Sequence, residues 1–165
     1  MIVVSNASPL IILARIGQLQ LLAEFYGRIL IPTPVHEEVV IAGRGLPGSR
    51  EVSDASWIEI RDAADGSDSS LVQGTPRLGA GERSAIQLAK ELSADLLLLD
   101  EWKARRIAQS AGLPVAGCVG ILEAGARMGK ISDLRQTYIN LLRQGIRVDL
   151  ELLRGSLRRL GLAEL

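Results

Sequence analysis

Short aliphatic runs alternate along most of the chain with longer segments of helical periodicity. Five of these runs predict β-strands, at residues 2–4, 28–31, 57–60, 96–99 and 115–116. The run at 96–99 consists of consecutive leucines, which is typical of a strand buried on both faces of a parallel sheet. The run at 57–60 alternates apolar and polar residues, which indicates an exposed edge strand. The order of strands and helices therefore predicts a mainly parallel sheet with right-handed helical crossovers.

Segments with a 3.6-residue apolar period predict the helices. They lie at residues 10–16, 19–25, 35–42, 81–92, 101–111, 119–128, 133–143 and 149–160. Residues 43–53 are rich in glycine and are predicted to form a loop. Residues 65–74 are rich in Gly, Ser and Asp and show no periodicity, so we expect them to be mobile.

Composition agrees with an α/β fold. Hydrophobic residues make up 47% of the 165 residues but aromatic residues only 3%, so the core must consist of aliphatic side chains. This favours helices packed on a parallel sheet over an aromatic-rich β-sandwich. The length is usual for one domain, and we expect residues 1–165 to form a single domain.

Charge and cysteine content exclude several classes of function. The 19 Lys and Arg residues balance the 19 Asp and Glu residues, so a nucleic-acid partner would have to meet a local basic patch. Cys118 is the single cysteine, which excludes an internal disulfide and a zinc cluster and fits a reducing cytoplasm. No apolar run approaches the roughly 18 residues of a membrane span, so no membrane association is expected.

Polar side chains that could bind a ligand follow two of the predicted strands. Asn6 comes after the first strand, and Asp100 and Glu101 come after the strand at 96–99. Ligands of parallel sheets collect beyond the carboxyl ends of the strands. The sequence therefore places these three residues at the edge where a site is expected.

Two helices that open at the same edge each carry an inward-facing acid. In helix 35–42, Glu38 lies about 50° from the centre of an apolar stripe that ends at Ala42, whereas Glu37 lies about 150° away and faces solvent. In the helix at 81–92, Glu82 also lies about 50° from the centre of its stripe. We therefore expect Glu38, Glu82 and Asp100 to converge.

These acids have a structural interpretation as well as a functional one. The helix dipole alone favours Glu82 at a helix start, and Asp100 could simply cap the helix that follows it. Partly buried carboxylates without partners are costly, however, and a shared cation would stabilise all three. Oxygen ligands without His or Cys indicate Mg²⁺ or Mn²⁺ and not Zn²⁺.

Four segments, taken in order, resemble the acidic motifs of the PIN-domain family. They are residues 4–11, 31–39, 78–86 and 97–100. The likeness is closest to an uncharacterised prokaryotic subgroup related to the VapC toxins, which shares the patterns at residues 117–122 and 129–131. No single motif is specific, but four in order are. The resemblance covers nearly the whole chain and implies a three-layer α/β/α sandwich with a central, mainly parallel sheet.

The resemblance also implies an activity and a set of site residues. It places Asn6 at the position of the family's first Asp, Glu38, Glu82 and Asp100 at those of its other acids, and Glu101 beside Asp100. The first four are the predicted catalytic groups, and all five are predicted ligands of Mg²⁺ or Mn²⁺. Asn6 departs from the family pattern, because an amide oxygen can bind a metal but brings no negative charge.

Two functions follow from the resemblance and from this departure. The first is a metal-dependent endoribonuclease that hydrolyses RNA to leave a 5′-phosphate and a 3′-hydroxyl, usually as a toxin with an antitoxin partner and often as a homodimer. The second is a catalytically weakened PIN-fold module that binds RNA or an antitoxin. A nucleotide-binding α/β domain is disfavoured, because no glycine-rich phosphate loop follows the first strand.

Four residues are predicted to contact RNA. Lys103 and Arg105 lie on the helix after Asp100, Arg83 follows Glu82, and Ser8 lies where the family often places a hydroxyl group. The positions of the three basic residues are explained equally well by an ordinary solvated helix face.

Some residues point to contacts of other kinds. Trp102 lies away from the apolar stripe of its helix, so we expect it to be exposed and available to a second copy or a partner. The leucine-rich tail, with Leu150, Leu153, Leu157 and Leu160, suggests the same. Cys118 is interpreted as a packed thiol or as a residue that borders the pocket.

Overall fold

The computed structural model describes residues 1–64 and 78–165 of the chain. The stretch at residues 65–74, for which the sequence predicts mobility, lies outside the described residues. Among the described residues, no helix combines the length and the apolar character that crossing a membrane requires.

A parallel sheet forms the centre of the fold. Its strands are β1 (Val3–Ser5), β2 (Ile29–Ile31), β3 (Ile58–Ile60), β4 (Leu96–Leu98) and β5 (Val115–Ala116). They are arranged in the order β3-β2-β1-β4-β5, and every neighbouring pair is parallel. Val4 of the central strand pairs with Leu30 on one side and Leu97 on the other. The predicted parallel sheet is confirmed, with β3 at an edge as its alternating pattern indicates.

Helices connect the strands and cover both faces of the sheet. In the described residues the α-helices are α1 (Ala7–Arg15), α2 (Gln20–Tyr26), α3 (Thr33–His36), α4 (Ser49–Asp54), α5 (Ala80–Glu91), α6 (Trp102–Ser110), α7 (Cys118–Arg127), α8 (Leu134–Arg143) and α9 (Leu150–Arg159). A π-helical segment (Glu37–Ala42) continues α3 without a break.

The sheet separates two hydrophobic cores. Alternate strand residues point to opposite faces, so β1, β2, β4 and β5 each contribute to both cores. The first core takes Val3, Ile29, Ile31 and Leu98 and packs them against α1, α2, α7, α8 and α9. The second takes Val4, Leu30, Leu97 and Leu99 and packs them against α5 and α6. The expected three-layer α/β/α fold is therefore confirmed.

The glycine-rich segment contains a helix where the sequence predicts only a loop. The backbone N–H of Gly48 donates to Glu51 Oε2 at 2.9 Å, which caps the first turn of α4, and Val52 is buried beneath it. Gly48 takes a positive φ of 98°, which glycine adopts without strain. The prediction for residues 43–53 is wrong from Ser49 onward, because a cap and one buried valine outweigh the local glycine content.

The helix predicted at 35–42 forms, but its second half is π-helical. Val35 and Val39 are buried as the apolar stripe predicts, whereas Ala42 is exposed. The i→i+5 hydrogen bonds of a π-helix turn the chain less per residue than an α-helix does, so later residues drift from the predicted stripe. π-Helical turns are frequent at functional sites, and this one carries Glu38.

A buried polar network joins the last three helices. Ser156 Oγ donates to Glu123 Oε2 at 2.8 Å and lies 2.6 Å from the hydroxyl of the fully buried Tyr138. Glu123 also accepts hydrogen bonds from Arg159 and Arg127. The bond from Arg159 contributes most to lowering the pKa of Glu123 to about 2.

We predict that Glu123→Gln lowers the free energy of unfolding by about 1–2 kcal/mol at neutral pH, because the bonds to this carboxylate are charge-assisted. The lowered pKa means that this contribution is fully present above the pKa of the unfolded state, near 4.5, and is lost as pH falls toward 2. Urea unfolding of both proteins from pH 7 to pH 2.5 checks this. A difference between them that stays constant across this range would contradict the assignment.

Candidate functional site

The pairing of β1 with β4 brings two predicted site residues to one edge of the sheet. Ser5 pairs with Leu98, and the backbone N–H of Asn6 donates to Leu98 O at 3.0 Å. Asn6 and Asp100 therefore leave adjacent parallel strands at their carboxyl ends, where the sequence predicts a site.

Asn6 carries a buried oxygen without a partner. The residue is 3% exposed, and its Oδ1 accepts no hydrogen bond from any residue that the structure describes. Leaving a buried acceptor unsatisfied costs about 1–3 kcal/mol. A group that binds this oxygen would recover that cost.

Glu38 approaches the same point from the π-helical segment. A Cβ atom built on Gly81 of α5 would lie 3.1 Å from Glu38 Oε2 and 3.2 Å from Asn6 Oδ1. The absence of a side chain at Gly81 thus leaves room for both oxygens beside α5. Glu37 and Glu38 are both exposed, so the expected contrast between a solvent-facing Glu37 and an inward-facing Glu38 is not seen in their burial; only Oε2 of Glu38 is directed toward Gly81 of α5.

Glu82 combines a structural contact with an electrostatic one. Its Oε2 accepts a hydrogen bond from the backbone N–H of Gly79 at 3.1 Å, which caps α5 and agrees with the structural interpretation of this acid. Partial burial raises the pKa of Glu38, and the negative charge of Glu82 raises it further. The two carboxylates therefore repel each other, and a cation bound between them would remove this repulsion.

Asp100 lies in a different set of contacts. Its Oδ1 accepts a hydrogen bond from the backbone N–H of Cys118 at 2.8 Å, and its Oδ2 accepts one from Cys118 Sγ at 3.1 Å. Burial raises the pKa of Asp100, while the bonds from Cys118 and the charge of Arg105 act in the opposite direction. Asp100 is thus held at the sheet edge by groups from α6 and α7.

Sequence reasoning missed the role of Gly117 and Cys118 in holding this carboxylate. A Cβ atom on Gly117 would lie 2.8 Å from Asp100 Oδ1, so only glycine leaves room for the contact. Burial, and then the charge of Asp100, raise the pKa of the thiol well above its usual value, so Cys118 stays protonated and donates. The available sequence signal was a glycine directly before a small polar residue. This pair follows β5, the strand that neighbours the one leading to Asp100.

The predicted RNA-contacting residues differ in how exposed their side chains are and in whether those side chains are already hydrogen-bonded. Arg83 Nε donates to Leu78 O at 3.1 Å, so part of its guanidinium supports the backbone. Lys103 is exposed, whereas Arg105 is half-buried beside Asp100. Ser8 is half-buried in the first turn of α1. Glu101, a predicted metal ligand, is exposed at the N-cap of α6.

The donor set can be compared with what a divalent ion requires. Within residues 1–64 and 78–165, no three His, Cys, Asp or Glu side chains form a group that could hold a metal ion. The unpartnered amide oxygen of Asn6 and the two mutually repelling carboxylates of Glu38 and Glu82 fit a hard cation such as Mg²⁺ or Mn²⁺ in donor type. Glu38, Glu82 and Asp100 thus do not form the three-carboxylate cluster expected from the sequence, because Asp100 is bonded to Cys118 and lies near Arg105. The assignment of these residues as ligands stays a prediction.

Comparison with known proteins identifies the family. A family model described as a PIN domain matches residues 2–162. No curated protein and no solved structure matches the chain significantly. PIN domains are in general nucleases, and these nucleases typically use divalent metal ions. With a match over nearly its whole length and a parallel sheet between two helical layers, the chain belongs to the PIN-domain family.

Proposed function

We propose that this protein is a divalent-metal-dependent endoribonuclease that hydrolyses phosphodiester bonds of RNA. The observation that supports the proposal most directly is the buried, unpartnered Asn6 Oδ1, which lies beside Gly81 together with Glu38 Oε2. Both oxygens lie at the carboxyl edge of the parallel sheet. The chain belongs to the PIN-domain family, whose members are in general nucleases. A polar atom that is costly to bury and lacks a protein partner is expected where a ligand binds.

Each residue of the site has a distinct part in this proposal. Asn6, Glu38 and Glu82 would hold Mg²⁺ or Mn²⁺, with Asp100 and Glu101 as further carboxylates at the same edge. When bound, the ion supplies an acidified water and neutralises charge on the scissile phosphate. Asp100 is held in place by Cys118, so it keeps one orientation while substrate binds.

Basic side chains around the edge would bind the phosphates on either side of the scissile bond. Lys103 is exposed and free to reach a phosphate, and Arg105 lies closer to the carboxylates. Arg83 and Ser8 would contribute from α5 and α1. Such contacts position the strand and carry no sequence information.

A second function is favoured by one specific departure from the family. Asn6 supplies no negative charge where the family has an acid, and Asp100 is already bonded to Cys118. Both features weaken the attraction for a divalent ion. The alternative is therefore a PIN-fold module that binds RNA or an antitoxin with little catalysis.

We predict that cleavage of a labelled single-stranded RNA requires Mg²⁺ or Mn²⁺ and that Asn6→Asp lowers the Mg²⁺ concentration for half-maximal rate by about five- to tenfold. The added carboxylate increases the negative charge that attracts the ion. Chelator-treated protein, titrated with each metal, measures the rate. Calorimetric titration with Mg²⁺ measures binding separately from activity.

The neighbouring acids Glu37 and Glu38 form a matched control for this experiment. Both residues are exposed, but only Glu38 places an oxygen beside Gly81. Glu38→Gln is therefore expected to reduce the rate by at least about 100-fold, whereas Glu37→Gln leaves it unchanged. Cleavage that persists in EDTA, or equal effects of the two variants, would contradict the metal site. If neither wild type nor Asn6→Asp cleaves while RNA binding survives EDTA, the binding-module alternative is correct.

A second prediction concerns the space at Gly81. In Gly81→Ala the new methyl group would lie 3.1 Å from Glu38 Oε2 and 3.2 Å from Asn6 Oδ1, and one or both must shift by a few tenths of an ångström. We expect the rate to fall by about tenfold or more, because such sites tolerate little displacement. Helix propensity offsets the crowding, so the melting temperature should change little.

Gly120→Ala provides the control for Gly81→Ala. Its Cβ would meet no atom within 4 Å, so it makes the same chemical change in α7 without crowding any acid. Circular dichroism, melting temperature and cleavage rate are measured for both variants. Equal rates for the two alanine variants would show that the oxygens beside Gly81 do not contribute to catalysis.

We further propose that the protein acts as the toxin of a toxin–antitoxin pair. The support is the ordered similarity of its motifs to the PIN-domain family, closest to a prokaryotic subgroup related to the VapC toxins. For the predicted homodimer, Leu153 and Leu157 are buried in the chain's own core and are not free for a second copy, whereas Leu150 is exposed.

We predict that expression of this chain alone arrests bacterial growth and that Glu38→Gln relieves the arrest at equal protein level. The reason is that toxicity would come from RNA cleavage at the carboxylates. Growth curves and immunoblots measure both quantities, and co-expression of a small open reading frame next to the gene tests for the antitoxin. Arrest that persists unchanged in Glu38→Gln would count against a toxic ribonuclease.

A further inference from the structure

An aromatic side chain and a guanidinium form an exposed pair next to the candidate site. Trp102 is 63% exposed at the start of α6, two residues after Asp100. The guanidinium carbon of Arg106, one turn further along, lies 4.9 Å from the centroid of the indole ring. The ring is thus held by a cation–π contact and does not pack into the core.

The exposed surface of the first half of α6 is positively charged around Trp102. The helix carries Lys103, Arg105 and Arg106 and no acid, although Glu101 precedes it at the N-cap. Ala104 and Ala108 face the core, so the charged side chains lie on the outer side. In a chain with no net charge, this is a local basic surface of the kind that binds an anionic polymer.

We propose that Trp102 and Arg106 form a stacking site for an unpaired nucleobase of the RNA substrate, a step that rests on the proposed ribonuclease function. Arg106 lies against the indole and would fix its orientation, and the base would stack on the remaining exposed surface of the ring. Lys103 would bind a neighbouring phosphate. Bases within a duplex are stacked on each other and present no free face, so the site selects single-stranded RNA.

The chemistry of the surface favours RNA over a protein partner. A protein interface around an exposed tryptophan is usually depleted of charge at its core. Here the side chains next to Trp102 on the outer side of α6 are Lys103 and Arg106. The position also matters, because a base bound at Trp102 lies next to the strand end that carries Asp100.

The test measures RNA binding in EDTA, so that cleavage does not interfere. A fluorescently labelled oligouridylate and an abasic oligoribonucleotide of the same length are titrated with wild type, Trp102→Leu and Trp102→Phe. We expect Trp102→Leu to weaken oligouridylate binding by about tenfold, the usual effect of losing one stacked base, and Trp102→Phe to retain most of the affinity. The abasic strand should bind all three proteins equally, because its phosphates are unchanged.

Tryptophan fluorescence provides a second measurement. The chain has two tryptophans, so Trp57→Phe leaves Trp102 as the single reporter and Trp102→Phe leaves Trp57. Oligouridylate should quench the fluorescence of wild type and of Trp57→Phe but not that of Trp102→Phe. Duplex RNA should cause no quenching in any of them.

Several outcomes would overturn the stacking site. They are unchanged oligouridylate affinity in Trp102→Leu, an equal loss for the abasic strand, and the absence of any RNA binding by wild type. A change from dimer to monomer in Trp102→Leu, by sedimentation and without a change in RNA affinity, would assign Trp102 to contact between chains.

The stacking site and the proposed activity fail in different ways. Trp102-dependent binding without metal-dependent cleavage supports the stacking site and refutes the nuclease. Metal-dependent cleavage that is unaffected, in affinity and rate, by Trp102→Leu refutes the stacking site and leaves the nuclease standing.

Discussion

The parallel pairing of β1 between β2 and β4 is the constraint on which the rest of the molecule depends. The strands are short, yet Val4 is paired on both sides, and alternate residues of the strands supply both cores. The same pairing places Asn6 and Asp100 at one edge. It also brings the chain out of β2 at that edge, so Glu38 can reach across to α5. Burial of aliphatic side chains therefore stabilises an arrangement of polar groups that would be unfavourable by itself.

The acids at this edge are stabilised in two different ways. Asp100 receives two hydrogen bonds from Cys118 and lies near Arg105, so protein groups compensate for much of its burial. Glu38 has Glu82 as an electrostatic neighbour, which makes its charge harder to maintain, and the adjacent Asn6 oxygen has no donor among the described residues. The charge of Glu38 and the oxygen of Asn6 are therefore less well compensated by the protein than the carboxylate of Asp100.

Hydrophobic periodicity and the positions of glycine and proline were sufficient to predict the strands, a mainly parallel sheet and most of the helices. They failed where a few tertiary contacts outweighed local propensity. The capped turn of α4 lies inside a glycine-rich segment, and the π-helical segment moved Ala42 out of its predicted stripe. For the site, motif order named Asn6, Glu38, Glu82 and Asp100 as candidates, and their role stays a prediction. Motif order did not show that Cys118 donates to Asp100. Asp100 follows β4 and Cys118 follows β5, and only the pairing of these two strands brings the residues together.

Local patterns were enough to predict the set of elements and the chemistry available at their ends: aliphatic strands, helices between them, and acids after the strands and at helix starts. These features are local, because the periodicity of an element and the residue that follows it are read within a few positions. Which oxygens come close to each other is not a local property, because it depends on strand register, on the width of a π-helical turn and on two glycines without side chains. Gly81 leaves room for Asn6 and Glu38, and Gly117 leaves room for Asp100. Contacts of this kind join residues far apart in the chain, and their distances are set by packing.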